Sequence, residues 1–556
     1  MHPAKPGATR PWDAGIGTPL LHSDSPRPRR REGASLRSRF IRGAFNLHPV
    51  RPDMSKAPAF ALFQPGNYPL HQRLLPVVNL LARVSAIFSL TMLFPIGVAY
   101  WGNDAGLMPF VEALGGLLLF SLLVVVATLR YKRELKTRDG FILVVGLWTL
   151  LPAAATAPLL LYDPTLKFSY AYFETMSALS TTGATALTGL EHLPASINVW
   201  RHLLNWLGGM GILVLAVAIL PMLGVGGMQL FKAETPGPIK DTKLTPRIRE
   251  TARNLWLIYA GLTVACALLL RLAGDLSWLD AVCHAFSAVS LGGFSTYDAN
   301  VGHFDSAAIE IILVVFTVLS ATNFATHFLA LTRRDLSVYW RDSEFKAMIA
   351  LILGSIVILA AVLLWRGTYA DYATALRHVT FNLASVATGS GYASTDFAQW
   401  PIVAPLWMLF LSGICACAGS AGGGIKMIRT IVLVREAGRQ FVTLLHPQAV
   451  MPLRVNGNSL SGQVVFAVLG FIFLYFMSMV GLTFALLLTD LDFLSSLTAV
   501  VACLNNAGPG LGVVGPSSNY GVLTEPQVWI CSVAMLLGRL EVISVLVLFT
   551  PAFWRN

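Results

Sequence analysis

Apolar residues fall along this chain in blocks about as long as a bilayer is thick, with polar residues gathered between them. A helix needs about 20 mostly apolar residues to cross the hydrocarbon core. Ten segments meet that length: roughly 75–100, 107–129, 140–162, 196–224, 252–273, 305–331, 346–365, 401–432, 462–489 and 526–551. The linkers between them alternate in sign. Basic residues fill 130–138 (R-Y-K-R-E-L-K-T-R), 232–249, 333–346 and 426–454, whereas the other linkers carry mainly acids, such as Asp163, Glu174, Asp298, Asp371 and Asp492. Basic linkers stay on the cytoplasmic side. Ten spans then place both termini inside and an acidic face outside. The pattern predicts an all-α polytopic membrane protein with ten transmembrane helices.

Four of the outward linkers share a finer pattern. Each holds an apolar stretch too short to span, followed by a turn: S-A-L-S-T-T-G-A (177–184), S-A-V-S-L-G-G-F (287–294), S-V-A-T-G-S-G-Y (385–392) and A-C-L-N-N-A-G-P (502–509). Gly183, Gly293, Gly391 and Gly508 occupy the seventh place, at spacings of 110, 98 and 117 residues. A regular repeat of this kind marks one structural unit used several times. Irregular backbone at membrane depth is tolerated only where it is buried in protein or lines a wet cavity. Glycine lets successive carbonyls point the same way, and rings of carbonyls can replace the water shell of a monovalent cation.

Composition supports the lipid-embedded class: 55% of residues are hydrophobic and 12% charged, against about a quarter charged in soluble domains. The net charge of +11 would suggest nucleic acid on a soluble protein. Here the first 56 residues hold eleven Lys/Arg and four acids, or +7, and topology accounts for the rest; no nucleic-acid partner is expected. That stretch is rich in Pro, Gly and Ser without an apolar run, which predicts a disordered basic tail over 1–56; Met54 offers an alternative start. The six cysteines (266, 283, 415, 417, 503 and 531) lack zinc spacing and read as small buried hydrophobes.

The motifs S-T-T-G-A-T (180–185), L-G-G-M-G-I (207–212), L-G-V-G-G-M-Q-L (223–230), G-G-F-S-T (292–296), G-Y-A-S-T-D (391–396), A-G-S-A-G-G-G-I-K-M-I-R (418–429), G-P-G-L-G (508–512) and G-R-L-E (538–541) appear in order along the chain. Over about residues 70–556 the sequence resembles the membrane subunit of the Trk-type bacterial potassium uptake systems, the TrkH group of the Trk/Ktr/HKT superfamily. The resemblance implies four helix–pore loop–helix repeats in pseudo-fourfold arrangement. The organisation is then a tail (1–56), an accessory N-terminal pair of spans (57–137) and repeats at 138–231, 245–333, 343–440 and 458–556. It implies a selectivity filter of backbone carbonyls at Thr181, Thr182 and Gly183; Leu291, Gly292 and Gly293; Gly389, Ser390 and Gly391; and Asn506, Ala507 and Gly508, with potassium as substrate. Leu291 stands where relatives usually have Thr, and T-G-S-G-Y stands for the usual T-T-T-G-Y. Sodium-preferring plant relatives can carry Ser at the first filter glycine, so Gly183 favours potassium.

Residues 413–424 (G-I-C-A-C-A-G-S-A-G-G-G) place a glycine cluster inside the second helix of the third repeat, where each Gly costs about 1 kcal/mol against Ala. As a phosphate loop the segment fails, because Ile425 stands where Lys is needed. Close helix packing is the simpler alternative. The resemblance implies an intramembrane gate loop instead, involving Gly419, Gly422, Gly423, Gly424 and Lys426, with Arg539 set against it. It also implies a homodimer in the bacterial inner membrane and regulation by a cytosolic nucleotide-binding ring of the TrkA type docked on the basic linkers. No cofactor is expected on this chain.

Two other classes compete. A sodium- or proton-coupled secondary transporter usually carries carboxylate relays at the midplane, and here the acids cluster at the outer ends and no span carries a central Asp except near its edge, with Glu310 and Glu541 as the exceptions. An intramembrane enzyme needs a nucleophile–base or metal pair; His284, His303, His327 and His378 are scattered. A non-enzymatic transporter is the expectation.

Overall fold

The computed structural model describes residues 70–211 and 248–555, apart from 132, 134, 449, 450 and 457. The expected tail over 1–56, the 223–230 motif and most of the 232–249 linker lie outside those residues. The protein is an all-α membrane protein in its main lines. A two-stranded antiparallel ladder, Arg454–Val455 against Asn458–Ser459, departs from that description.

Six of the expected spans are helices long and apolar enough to cross a membrane: Leu74–Gly102, Leu107–Thr128, Arg138–Tyr162, Arg253–Leu272, Ser343–Trp365 and Gly462–Leu487. Their outer faces expose large apolar side chains such as Leu119, Phe120, Leu353 and Phe466, as befits a surface solvated by lipid tails. The first two lie against each other, joined by Asn79, whose amide donates to the Val125 carbonyl and the Thr128 hydroxyl.

The remaining spans differ from the continuous helices expected. The 305–331 segment forms Ala307–Ala321 and Phe324–Arg333, bent by 96°, and 526–551 forms Glu525–Arg539 and Ile543–Phe549, bent by 105°. The 401–432 segment stops as helix Val403–Ile414 and resumes as Met427–Leu445. The 196–224 segment runs as helix Ala195–Trp206, widens into a π-turn at Leu207–Gly211 and then leaves the described residues. At the two bends the backbone hydrogen bonds leave the helical pattern. The Ser320 and Ala321 carbonyls, which a continuing helix would use itself, accept from the amides of Ala421 and Cys417 at 3.3 and 2.9 Å. Asn323 then caps the next helix through the Ala325 amide. At the other bend Glu541 and Val542 adopt φ of 55° and 50°, and the Val542 amide turns back to the Leu537 carbonyl.

Four short helices complete the fold: Phe168–Leu179, Trp278–Ser290, Tyr372–Thr388 and Phe493–Asn505. Their inner turns are buried on all sides, unlike the long spans. Three begin at side-chain caps, where Ser277, Asp371 and Asp492 accept from the amides of Asp280, Thr374 and Ser495, satisfying otherwise orphaned donors. The Thr374 amide holds the Asp371 carboxyl below its usual range, and the Ser495 amide does the same to Asp492. Apolar clusters seat the second and third short helices together around Leu291 and Tyr392, and the first and fourth around Phe173 and Tyr520.

Candidate functional site

All four short helices end in the same way. A residue one or two places past the helix turns left-handed: Thr181 (φ 56°), Leu291 (59°), Gly389 (84°) and Asn506 (54°). The amide after it folds back over the last turn. Thr182 donates to Ser177, Gly292 to Ser287, Ser390 to Ser385 and Ala507 to Ala502, at 2.8, 2.8, 2.9 and 2.8 Å. This six-to-one bond, with a left-handed residue inside it, is the Schellman closure of a helix C-terminus. The third residue is again left-handed, and it is glycine each time: Gly183, Gly293, Gly391 and Gly508, with φ between 66° and 81°. A β-branched residue at positive φ is an outlier, so Thr181 is held there by its surroundings.

The four turns close into a cycle. A β-carbon on Gly183 would strike the Gly292 carbonyl oxygen, one on Gly293 the Ser390 oxygen, one on Gly391 the Ala507 oxygen, and one on Gly508 would lie 3.0 Å from the Thr182 oxygen. The second-position carbonyl of each quadrant therefore sits beside the glycine of its neighbour, in chain order and back to the start. Among the described residues no backbone amide donates to those four carbonyls. The four glycines also line one cavity of about 180 Å³, together with Thr185, Arg201, Ser295, Asn300 and Tyr520.

On the other side of the cycle lies the glycine-rich segment 415–426, which is not helical. Its backbone is tied to the break at 321–324 by the Ala421 and Cys417 bonds and by the Phe324 amide on the Gly419 carbonyl (3.1 Å). Glu344 holds it from a third side by accepting from the Ala418 amide at 2.8 Å. A β-carbon at Gly422 would lie 3.3 Å from the Thr388 carbonyl and 3.5 Å from Leu291; one at Gly423 would lie 2.9 Å from the Asn506 side chain. Leu291 thus fills the space between the cycle and the segment. Arg539, at the end of helix Glu525–Arg539, donates to the Thr181 hydroxyl (3.1 Å), to the Ala421 carbonyl (3.0 Å) and to the Gly208 and Gly209 carbonyls of the π-turn. Lys426 and Arg429 face Glu541 at 3.8 and 2.5 Å.

This arrangement can be set beside known proteins. The family model for TrkH, described as a cation transport protein, matches residues 111–556. The chain belongs to the TrkH family. The Trk system potassium uptake protein TrkH of Vibrio parahaemolyticus is 45% identical over 483 residues, covering 86% of this chain and 99% of that protein. The protein of the same name from Escherichia coli K12 is 42% identical over 481 residues, with the same coverage. The crystal structure of the potassium transporter TrkH from Vibrio parahaemolyticus superposes with a TM-score of 0.78 at 42% identity, covering 88% of this chain and all of that one.

Within this TrkH-family chain the structure brings the twelve expected turn residues together, and it sets Gly422, Gly423 and Arg539 directly against them. Gly419 and Gly424 face outward from the cycle, toward Asn323 and Gly413. Lys426 lies one step further away, beside Glu541. Arg539 and Glu541 do not pair with each other, the simplest outcome for two charges in one apolar span; a left-handed turn at 541 sends them to different partners. His327 is satisfied on both sides, by the Tyr339 hydroxyl and the Leu319 carbonyl. Two residues escaped the sequence reading. Glu174 falls among the outer-linker acids by charge pattern, yet it is fully buried against Arg201 at 2.8 Å. The available signal was an arginine inside an apolar block.

Proposed function

We propose that this chain conducts potassium into the bacterial cell through the cycle of carbonyls, which acts as a selectivity filter. Support comes above all from the closed cycle itself: four carbonyls, equivalent in backbone geometry and unclaimed by backbone amides, each lie beside a neighbouring quadrant's glycine, and those four glycines line one cavity. Such oxygens can take the place of a cation's hydration shell. The relatives named as potassium uptake proteins agree in substrate. On this reading the chain is a pseudo-fourfold pore of four repeats with an accessory N-terminal pair. Ten spans in the inner membrane leave both termini in the cytoplasm.

The 415–426 segment is the gate. It lies across the inner side of the filter, and Gly419, Gly422, Gly423 and Gly424 give it the freedom to move. Lys426 anchors its end, and Arg539 biases the closed arrangement. The protein works as a homodimer, and its basic linkers dock a TrkA-type nucleotide-binding ring. Growth of potassium-uptake-deficient bacteria at low potassium tests the function, with and without such a ring subunit. Rescue is expected; failure of well-expressed protein in both arrangements overturns it. Gly183→Ser should raise sodium permeability, and unchanged selectivity would remove the filter assignment.

A further inference from the structure

We infer that the buried Glu174–Arg201 pair is a positioning unit that sets how sharply the filter discriminates among alkali cations; this rests on the potassium-filter reading above. The two side chains are 0% and 1% exposed and meet at 2.8 Å. Glu174 belongs to the first short helix. It accepts from the Thr185 hydroxyl and from the Ala186 amide at 2.9 Å, gripping the chain just after Gly183. Arg201 belongs to the helix that follows. It donates to the same Thr185 hydroxyl at 3.3 Å and to the Ser295 carbonyl at 3.4 Å, and its guanidinium lies 4.5 Å from the Phe294 ring centre. The pair therefore joins the segment leaving Gly183 to the segment leaving Gly293.

The other quadrants show what is particular to this one. Nine residues before each filter glycine stand Glu174, His284, Asn382 and Ala499. His284 bonds the Ser295 hydroxyl and Asn382 bonds Ser394, each tying its own helix to its own exit segment. In the fourth quadrant Thr498, one position earlier, takes that role by accepting from the Leu511 amide. Only the first quadrant, among these four positions, uses a charge, and that charge brings an arginine that reaches the second quadrant. Two ions removed from water persist only where geometry and further hydrogen bonds are favourable, and an ionisable group at membrane depth marks function by default. Selectivity of a carbonyl ring depends on the number and placement of its oxygens. A rigid tie between two of the four segments, directly beyond the glycines, acts on that placement without touching the ion.

The test is initial-rate uptake of potassium and of sodium by the full chain in lipid vesicles. Wild type, Arg201→Lys, Thr185→Val and Gly183→Ser are compared at equal amounts of folded protein. Lys keeps the charge but cannot fork to Thr185 and Ser295 together; Thr185→Val leaves the ion pair in place and removes the hydroxyl shared by both partners. Each variant should lower the potassium-to-sodium ratio by about tenfold, the lower end of what losing an outer-shell partner of an ion site costs, with a much smaller change in maximal potassium rate. Loss of packing alone would lower both rates together. An unchanged ratio in Arg201→Lys and Thr185→Val, while Gly183→Ser shifts it, overturns this inference and leaves the filter standing. An unchanged ratio in Gly183→Ser removes the filter itself. If Arg201→Lys does not fold, Thr185→Val alone decides.

Discussion

Arg539 donates to the Thr181 hydroxyl at 3.1 Å across 358 residues of sequence. The same guanidinium reaches the Ala421 carbonyl of the glycine-rich segment and the π-turn at Gly208 and Gly209. One side chain thus ties together the first quadrant of the cycle, the segment below it and two interrupted helices. The interruptions are what make this possible, because intact helices would have kept those carbonyls for themselves.

Charge-assisted hydrogen bonds contribute about 1.5–3 kcal/mol each, and the Arg539 bond to the Ala421 carbonyl exists only while the segment lies against the cycle. Arg539→Ala should therefore raise resting cation flux by about tenfold or more, measured in vesicles without a regulatory subunit. Unaltered flux and unaltered regulation would show that Arg539 has no hold on the proposed gate.

The glycines of the cycle should not be equally sensitive. Alanine at any of them meets the left-handed penalty of about 1–2 kcal/mol. At Gly183, Gly293 and Gly391 its β-carbon would also collide with a neighbouring carbonyl, whereas at Gly508 the oxygen lies 3.0 Å away. Gly508→Ala should retain the most potassium uptake of the four variants, and a different order would mean that the cycle is not closed as described.

Glu541 compensates two cations, Arg429 at 2.5 Å and Lys426 at 3.8 Å, both of them buried. Glu541→Gln leaves those charges without their partner and should destabilise the protein by about 3 kcal/mol. Because Cys415 and Cys417 are buried in the segment that Lys426 ends, alkylation of these thiols should speed up in the variant. Labelling at the wild-type rate would disconnect Glu541 from the segment.

Acid should weaken the outer ends of the short helices. Bonding to Thr374 keeps the Asp371 carboxyl below its ordinary value of 3.8 in the folded protein, so the stability it contributes is complete above that value and lost as pH falls through the lower, folded one. Thermal unfolding followed from pH 5 to pH 3 should show this loss. Asp371→Asn, which keeps a capping oxygen but cannot titrate, should flatten the curve; an equally steep curve would assign the acid sensitivity elsewhere.

The six continuous spans and the four turns were legible in the sequence because each is a property of neighbouring residues. Hydropathy marks where lipid can sit, and the pairing of Gly with a preceding polar stretch marks where a helix ends. The bends at 321–324 and 540–542 were not legible. Ala321 is small and apolar like its neighbours, and the donor that takes its carbonyl, Cys417, lies far along the chain; at 540–542 the turn is made locally, where the Val542 amide reaches back to the Leu537 carbonyl. Glu174 was misleading for a related reason: an acid in a polar linker looks solvated until the fold supplies Arg201. The contact between Arg539 and Ala421 rests on the same long-range closure.

The Schellman closure shared by the four turns has a consequence for how such a protein can change. It fixes the carbonyls through main-chain bonds, so the side chains at the left-handed position are released from identity with one another. A ring of four identical subunits would receive every substitution four times at once. In this single chain Thr181 engages an arginine, Leu291 fills a gap above Gly422 and Asn506 donates to the Thr182 hydroxyl. Main-chain symmetry is kept while each quadrant takes a separate occupation, and a mutation is tried in one quarter of the ring at a time.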